Sequence, residues 1–463
     1  MRTLNHRHFA GLLLAGLLLA FTPAVRAADS FVWNAQQKRI SADVQSWPLP
    51  VLLQKISATT GWQVFVEPGA TATPSAKFKE LPRGEALHAL LGDLNFALVP
   101  ETNAPTRLYV FHTTMQAATQ RIETAERKIS HKPTAKPIPN QLVVTVKPGV
   151  DIEAIATRLG AKIIGRVGQL DTYLLEFPDE AATQSALAAL NANPDVASVD
   201  YNYTVDNPIP KLAQWNSGAP DFNLRAKPLG EGNPVIVGLI DTTNQTSNLC
   251  GGLGSFILPG ISVAGNAAAA NGEPSHSSTM AATILHSIAI NGGGQTAAKI
   301  LPVDVYGSNT ATTTFNVANG VYTAVNAGAN IINLSLGSSG DSTFLHSVII
   351  SASKQGVIFF AAAGNEPVTT ATYPAAYPEV VAVTAGNSDG TVASYANRGS
   401  FVSVVAPGNS AVCYDGQSWL VQGTSASTAI VSGLAAAAAD GSGKTPAQVQ
   451  SAVVNELPKL KTP

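Results

Sequence analysis

An uninterrupted apolar run, Val235–Ile240, ends at an aspartate, Asp241. Because its apolar residues do not alternate with polar ones, the run predicts a strand buried on both faces, as in the parallel sheet of an α/β protein. Open α/β sheets place their functional sites at the carboxyl ends of strands, which is where Asp241 would lie. An isolated aspartate there is more often a turn or helix-capping residue, so Asp241 indicates a site only together with other residues.

Three further polar residues stand at predicted ends of helices or strands. His276 follows Asp241 by 35 residues and begins a stretch of small side chains, which is typical of the first turn of a closely packed helix. Ser425 follows a glycine-threonine pair and is predicted at a helix N-terminus, where backbone N–H groups favour developing negative charge. Asn365 follows the strand-like run Val357–Ala363, and its amide could donate a hydrogen bond to an oxyanion. A core histidine, an N-cap serine or a turn asparagine would explain each residue alone, whereas their ordered combination predicts nucleophilic catalysis.

Residues 206–455 resemble the subtilase family of serine proteases. Ile240-Asp241-Thr242 resembles the family's aspartate motif, Ser275-His276 its histidine motif, and Gly423-Thr424-Ser425 the start of its serine motif. Ala362-Ala363-Gly364-Asn365 matches its oxyanion segment closely. The resemblance implies an α/β fold with a mostly parallel sheet flanked by helices. A ferredoxin-like α+β propeptide and a small α+β N-terminal domain are expected to precede it.

The resemblance also implies the role of each site residue. Ser425 Oγ would attack the scissile carbonyl, His276 would carry the proton, and Asp241 would orient the imidazole. The Asn365 amide and the Ser425 backbone N–H would hold the oxyanion. The segment Asn333–Gly337 resembles the edge strand that pairs with the substrate backbone. The implied substrate-binding residues are Ser335, Leu336, Gly337, Ala362 and Gly364.

Several neighbours of these motifs depart from the family pattern. Thr243 replaces a glycine, and the block His276–Thr279 lacks the family's second histidine. Ala426-Ser427 and Ala429-Ile430 replace a Met-Ala pair and a Pro-His pair. None of these changes removes a proton-transfer group, but they alter packing, and a displacement of about 1 Å can cost about 100-fold in rate. An alternative therefore stays open: a catalytically weak or inactive subtilase-fold module that binds or assembles in the cell envelope.

No cofactor or metal is expected. The segment Ser287–Gln295 lacks the density of acidic or amide ligands that a calcium loop needs, so the family's calcium sites cannot be carried over and calcium, although possible, is not supported by the sequence. The formal net charge is −2, from 28 basic and 30 acidic side chains, which argues against a sequence-independent nucleic-acid binder. The expected partners are a protein or peptide substrate and the chain's own propeptide, which would act as an intramolecular inhibitor.

The beginning of the chain predicts export. An apolar run from Gly11 to Phe21 follows basic residues and precedes the small-x-small pattern Val25-Arg26-Ala27, so residues 1–27 are interpreted as a secretory signal peptide. The protein is therefore expected to be periplasmic or secreted. In such a compartment Cys250 and Cys413 could pair, although the sequence does not say whether their Cα atoms lie within bonding range.

Four segments follow this predicted signal peptide. Residues 28–113 show strands and two helical patterns and resemble the short N-terminal domain of secretins and TonB-dependent receptors, which implies docking to an envelope or secretion-system partner. Residues 114–140 are polar and proline-containing and predict a linker. Residues 141–205 read β-α-β-β-α-β and look like the family's inhibitory propeptide, and residues 206–463 form the predicted catalytic domain. The whole chain is expected to be an exported serine endopeptidase, made as a zymogen and cut within Val205–Trp215.

Overall fold

The computed structural model describes residues 30–34, 37–99, 106–122, 136–209, 211–215, 223–228, 235–266, 272–387 and 390–458. The chain divides into two compact units, residues 1–128 and 129–463. The predicted signal peptide lies outside the described residues. Of the helices within the described ranges, none combines the length and the apolar character needed to cross a bilayer.

The described residues of the first unit form two small sheets and two α-helices. Their strand orders are β1-β2-β4 and β5-β6-β3-β7. The elements are β1 (Ser30–Asn34), β2 (Arg39–Val44), α1 (Leu49–Thr60), β3 (Gln63–Val66), β4 (Ala76–Pro82), α2 (Arg83–Leu91), β5 (Asn95–Val99), β6 (Arg107–Phe111) and β7 (Gln120–Ile122). The apolar stripe that predicts α1 is confirmed, because Leu49, Leu52, Leu53 and Ile56 are all buried in the core of this unit. The resemblance to secretin and TonB-type domains stays a prediction.

The second unit begins with an antiparallel sheet covered by two helices, here called the α+β part. Its elements are β8 (Pro137–Val146), α3 (Ile152–Leu159), β9 (Lys162–Val167), β10 (Thr172–Glu176), α4 (Glu180–Asn191) and β11 (Val196–Asp206). The strand order β11-β8-β10-β9 places the first and last strands side by side. This is the β-α-β-β-α-β order that the sequence predicts. Asp151 and Asp179 cap the two helices by accepting backbone N–H groups.

The structure differs from the predicted linker, residues 114–140, at both ends. β7 pairs with β3 through Ile122 and Val64, so the chain is still part of the first unit there. β8 starts at Pro137, within the proline-containing stretch. These prolines are compatible with a strand because β10 pairs only with Gln141–Thr145 of β8, which leaves the proline stretch beyond the end of one neighbour. Residues 123–135 lie outside the described residues.

The remainder of the second unit, here called the parallel-sheet part, is built around the strand order β15-β17-β14-β19-β20-β21-β22, in which all pairs are parallel. The strands are β12 (Lys211–Trp215), β13 (Arg225–Ala226), β14 (Ile236–Asp241), β15 (Ile261–Ser262), β16 (Gln295–Thr296), β17 (Lys299–Asp304), β18 (Ala311–Thr313), β19 (Ile331–Leu334), β20 (Ile358–Ala362), β21 (Val380–Gly386), β22 (Val404–Pro407), β23 (Asn409–Tyr414) and β24 (Gln417–Gln422). The helices are α5 (His276–Asn291), α6 (Thr314–Asn326), α7 (Thr343–Lys354), α8 (Thr424–Ala439) and α9 (Pro446–Glu456). The apolar run before Asp241 is thus the buried parallel strand that the sequence predicts.

The expectation of an edge strand at Asn333–Gly337 is wrong. β19 lies in the middle of the parallel sheet, between β14 and β20, and all four of its residues are buried. Its apolar residues pack into two different cores, Ile331 into one and Ile332 and Leu334 into the other, as expected for a strand buried on both faces. The residues that follow, Ser335–Gly337, leave the sheet at its carboxyl end.

Small side chains let the helices α5 and α8 pack closely against each other. Gly433 on α8 lies so near α5 that a Cβ atom there would come within 2.5 Å of the Ile284 carbonyl oxygen. The Ser287 hydroxyl donates a hydrogen bond to the Ile430 carbonyl across the same contact, at 2.7 Å. His276 begins one of these helices and Ser425 is the second residue of the other, so their close packing helps to position both side chains.

Candidate active site

Asp241 and His276 form a buried pair at the carboxyl edge of the sheet. Asp241 ends β14 and His276 begins α5, and His276 Nδ1 lies 2.9 Å from each carboxylate oxygen of Asp241. The two residues are 0% and 4% exposed. The backbone N–H of Thr242 donates to Asp241 Oδ1 at 2.7 Å, and Ser275 caps α5 by accepting the N–H of Ser278 at 3.1 Å. These bonds fix the carboxylate and the start of the helix, so the carboxylate can hold the imidazole in one orientation.

Residues that depart from the family motifs make hydrogen bonds around this pair. The Thr243 hydroxyl donates to Asp304 Oδ2 at 2.5 Å, on the strand next to Asp241. The Asn244 side-chain amide donates to the Ser277 hydroxyl at 3.1 Å and ties the loop after Asp241 to the first turn of α5. Two of the substituted positions, Thr243 and Ser277, are therefore hydrogen-bonded to their surroundings.

Ser425 lies at the start of α8, after Gly423 and Thr424. Gly423 has a φ of 147°, in the range that favours glycine, and lets the chain turn from β24 into the helix. The Ser425 hydroxyl donates to the Ser335 carbonyl at 3.2 Å, and the Ser335 hydroxyl donates back to the Ser425 carbonyl at 3.1 Å. Ser425 and His276 both line one cavity of about 320 Å³. Ser425 thus shares a cavity with His276, which is paired with Asp241, and its hydroxyl is bonded to the Ser335 carbonyl.

Asn365 lies at the rim of the same cavity, beyond the end of β20. Its Oδ1 accepts the Thr424 backbone N–H at 2.8 Å and the Thr424 hydroxyl at 3.0 Å. Because the oxygen is engaged in this way, the amide nitrogen is the group that remains to donate toward a bound molecule. Gly364, with a φ of 111°, allows this turn, since a Cβ atom there would come within 2.5 Å of the Asn397 side chain.

The other residues predicted to bind substrate also surround this cavity. Those in its lining are Ser335, Leu336, Gly337, Ala362 and Gly364. Sequence reasoning missed Thr372 and Asn397, which complete one wall. The Asn397 side chain donates to the Ala363 carbonyl and to the Thr372 hydroxyl, at 2.8 and 3.2 Å. No local motif marks these two residues, because loops distant in sequence bring them to the wall.

A segment of the chain itself lies against the cavity. The final residues of β11, Thr204–Asp206, pair antiparallel with β18 of the parallel-sheet part, and the boundary predicted after residue 205 therefore falls inside a strand. Residues 206–209 follow and line the cavity together with His276 and Ser425. β12 then pairs antiparallel with β24, which leads directly into Ser425. The chain thus approaches the site on β18 and leaves it along β24.

A disulfide joins Cys250 to Cys413, with their Cα atoms 5.4 Å apart. It links the loop after Asp241 to β23, the neighbour of β24 in the hairpin beside the cavity. In the ranges that the structure describes, we find no cluster of three or more histidine, cysteine, aspartate or glutamate side chains suited to hold a metal ion.

The two other histidines of the parallel-sheet part lie away from the cavity. His346 on α7 is 2.8 Å from Glu379 and stacks on Tyr377, with ring centroids 4.1 Å apart. His286 is buried in α5, and burial lowers its pKa from 6.5 to about 3, against a smaller opposing effect of a hydrogen bond to the Ala411 backbone. Neither histidine lines the cavity, and both are interpreted as structural residues.

The lowered pKa of His286 predicts a loss of stability in acid. An unfolded histidine titrates near 6.5, so between that pH and about 3 the unfolded chain holds more protons than the folded chain, and acid favours unfolding. Replacing His286 with glutamine, which keeps a side-chain donor, should reduce the loss between pH 7 and pH 4.5 by about 2–3 kcal/mol. The measurement is thermal unfolding at pH 7 and at pH 4.5, made on Ser425→Ala proteins that carry or lack the His286→Gln change. Melting temperatures that fall in parallel would contradict the prediction.

A parallel sheet with an Asp-His pair and a serine at its carboxyl edge defines an α/β protein with a serine-hydrolase type of site. Comparison with known families identifies it further. The model of the subtilase family (peptidase S8) matches residues 232–463, and that of the fervidolysin N-terminal prodomain matches residues 123–202. The chain belongs to the subtilase family, and the α+β part is its prodomain.

Individual relatives agree with this assignment. Subtilisin Savinase of Lederbergia lenta is 32% identical over 216 residues, which are 44% of this chain and 76% of that protein. Thermitase of Thermoactinomyces vulgaris is 29% identical over 246 residues, covering 50% of this chain and 84% of that protein. M-protease of Shouchella clausii is 32% identical over 44% of this chain, and the match spans only 54% of that relative.

Solved structures share the fold. Fervidolysin of Fervidobacterium pennivorans, a keratinolytic enzyme related to subtilisin, superposes with a TM-score of 0.51 at 18% identity, over 65% of this chain and 54% of that one. The epidermin leader peptide processing protease of Staphylococcus aureus, as an S393A mutant, gives a TM-score of 0.50 at 16% identity, over 64% of this chain and 88% of that one. At these identities the similarity establishes the architecture.

Proposed function

We propose that this protein is an exported serine endopeptidase, made as a zymogen, which hydrolyses peptide bonds through an acyl-enzyme. The observation that carries the proposal is the buried Asp241–His276 pair, with His276 Nδ1 2.9 Å from the carboxylate and His276 lining the same cavity as Ser425. A carboxylate on one ring nitrogen leaves the other nitrogen available to accept a serine proton. Membership of the subtilase family supports the same chemistry.

Each proposed step uses a residue at the cavity. His276 takes the proton of the Ser425 hydroxyl as the oxygen attacks the scissile carbonyl, and later gives that proton to the leaving amine. The imidazolium that forms is stabilised by Asp241. The tetrahedral oxyanion is held by the Asn365 amide nitrogen and by the Ser425 backbone N–H at the start of α8, and losing one such donor typically costs about 10²–10³ in rate. For the first proton transfer, the Ser425 hydroxyl would rotate from the Ser335 carbonyl to the His276 imidazole.

The prodomain supports the zymogen proposal. Its last strand ends at Asp206, and residues 206–209 line the cavity beside His276 and Ser425, where the uncut chain would hinder the binding of a substrate. A cut within Val205–Trp215, as predicted from the sequence, would separate the prodomain from the parallel-sheet part. The cleaved prodomain would remain as an inhibitor until it dissociates or is degraded.

Active-site labelling tests the proposed function. The purified chain is followed by intact mass with and without a fluorophosphonate probe, and the labelled peptide is identified. We expect the wild-type chain to shed its N-terminal part and to carry the probe on Ser425. An uncut chain that also fails to react with the probe would contradict the proposal.

One observation favours a second candidate, a catalytically weak or inactive subtilase-fold module that binds or assembles in the cell envelope. The Ser425 hydroxyl is bonded to the Ser335 carbonyl, at 3.2 Å, and so is directed away from the proton acceptor that catalysis needs. In this case residues 28–113 would bind an envelope or secretion-system partner. The candidate predicts capture of such a partner that is lost when residues 28–113 are deleted, together with no labelling of Ser425.

Release of the prodomain is expected to depend on Asp200. Its carboxylate accepts the Ser342 hydroxyl at 2.8 Å and the Phe344 backbone N–H at 3.0 Å, at the N-terminus of α7, where the helix dipole favours a negative charge. Replacing Asp200 with asparagine keeps an acceptor but removes the charge. The cleaved prodomain should then dissociate about 10-fold faster, because charged hydrogen bonds are roughly twice as strong as neutral ones.

The onset of peptide hydrolysis after self-cleavage measures this release. Glu180→Gln, a matched change on the exposed surface of the prodomain, serves as the control and should leave the lag unchanged. Equal lag times for the Asp200 and Glu180 variants would refute a role of Asp200 in retaining the prodomain.

A further inference from the structure

Tyr306 contacts the chain segment, residues 206–209, that forms part of the cavity wall. It follows β17, and its phenol donates a hydrogen bond to the Asp206 backbone carbonyl at 2.9 Å. Asp206 is the last residue of β11 and itself lines the cavity with His276 and Ser425. A side chain from the parallel-sheet part thus holds the main chain of the segment where it enters the site.

The turn that carries Tyr306 is held by a buried carboxylate. Asp304 Oδ1 accepts the backbone N–H groups of Tyr306 and Gly307, at 2.9 and 2.8 Å, and Asp304 is paired in register with Asp241 on the neighbouring strand. Tyr306 is itself only 1% exposed while the segment is in place. Burial raises its pKa, with a further contribution from Asp241, so the phenol remains protonated and able to donate. The position of the donor is therefore fixed relative to the catalytic aspartate.

Two other hydroxyl groups contact the same stretch of main chain. The Thr314 hydroxyl accepts the Tyr203 backbone N–H at 3.1 Å, and the Ser338 hydroxyl donates to the Thr204 carbonyl at 2.8 Å. All these bonds are made to backbone groups, which every peptide offers in the same extended conformation. The arrangement therefore recognises an extended main chain rather than particular side chains.

We propose that Tyr306 is a substrate-binding residue, whose phenol holds a main-chain carbonyl of the extended polypeptide that enters the site along β18. The inference rests on the proposed endopeptidase function and adds to it a residue that fixes the register of the substrate. Tyr306 takes no part in proton transfer. Its effect is expected on substrate binding, and only for peptides long enough to supply the carbonyl that Asp206 supplies in the uncut chain.

The test compares two tyrosine-to-phenylalanine variants of the full chain. Tyr306→Phe removes only the hydroxyl, and Tyr322→Phe is the matched control, since the Tyr322 hydroxyl contacts the prodomain at the Gln169 backbone N–H, 3.4 Å away and outside the cavity. On a peptide that reproduces residues 201–213, the self-processed Tyr306→Phe enzyme should show a KM about three- to tenfold higher with little change in kcat, the effect of one neutral hydrogen bond. Tyr322→Phe should match the wild type. An equal KM in all three enzymes, or a loss confined to kcat, would overturn the proposal.

A second measurement does not require hydrolysis. In uncut Ser425→Ala chains, amide hydrogen exchange of residues 203–207 should be faster with Tyr306→Phe than with Tyr322→Phe, whereas the latter should affect exchange only around Gln169. Unchanged protection of residues 203–207 would exclude the anchoring contact even if the wild-type chain had no peptidase activity. Failure of the proposed function would be seen separately, as a wild-type chain that neither cuts itself nor reacts with the fluorophosphonate probe.

Discussion

Replacing Ser425 with alanine is expected to leave the chain at full length, whereas the wild type sheds its N-terminal part. The change removes the only proposed nucleophile, and loss of the nucleophile in a subtilisin lowers kcat by about 10⁶. Because residues 206–209 line the cavity in the folded, uncut chain, the uncut variant should keep the same fold. Intact mass over time, together with hydrolysis of a peptide substrate, measures both effects.

Ser427→Ala is the matched control for this change. Ser427 lies on the same helix, α8, but its hydroxyl donates to the carbonyls of Ala406 and Pro407, at 3.2 and 3.0 Å, rather than toward the cavity. Its removal should lower stability by about 1 kcal/mol and leave self-cleavage within a few-fold of wild type. Self-cleavage that persists in Ser425→Ala, or that is abolished equally in both variants, would argue against Ser425 as the nucleophile.

Replacing Asp241 with asparagine should lower the rate of peptide hydrolysis by about 10⁴ without unfolding the protein. An amide in place of the carboxylate would donate toward His276 Nδ1, now 2.9 Å from the carboxylate oxygens. The imidazole would then hold its proton on the other nitrogen, which could no longer accept the proton of Ser425. The measurement is kcat/KM on a peptide substrate, with thermal unfolding to show that the variant is folded.

Asp304→Asn distinguishes this effect from the general loss of a buried carboxylate. Asp304 is the register partner of Asp241 on β17, but its oxygens accept from Thr243, Tyr306 and Gly307 instead of the imidazole. We expect Asp304→Asn to reduce stability and to lower kcat by no more than about tenfold, since an amide oxygen can still accept the two backbone N–H groups. A loss near 10⁴ in both variants would show that the Asp241 effect is not specific to the histidine.

Much of the fold could be predicted from the sequence because burial leaves periodic patterns. The helical spacing of apolar residues predicts α1, and uninterrupted apolar runs predict the buried strands β14 and β20. The succession of strand and helix patterns predicts the order of elements in the prodomain. The misjudged elements have physical reasons as well. The resemblance predicts an edge strand at Asn333–Gly337, whereas β19 lies in the middle of the sheet and only the residues after it line the cavity. The prolines before Asn140 suggested a linker, although a strand with one neighbour tolerates them.

The sequence by itself determined the residue types of the candidate site and their order, because Asp241, His276 and Ser425 each stand at the end of a strand or helix with a recognisable pattern. Tertiary structure decided what surrounds them. Thr372 and Asn397 line the cavity from loops without any motif, and Tyr306 bonds to Asp206 in its wall. Residues 206–209 line the cavity because β11 and β12 pair with strands on either side of it. Local patterns record which side chains are buried, whereas contacts between distant segments depend on how the sheet, helices and prodomain pack, which no short stretch of sequence encodes.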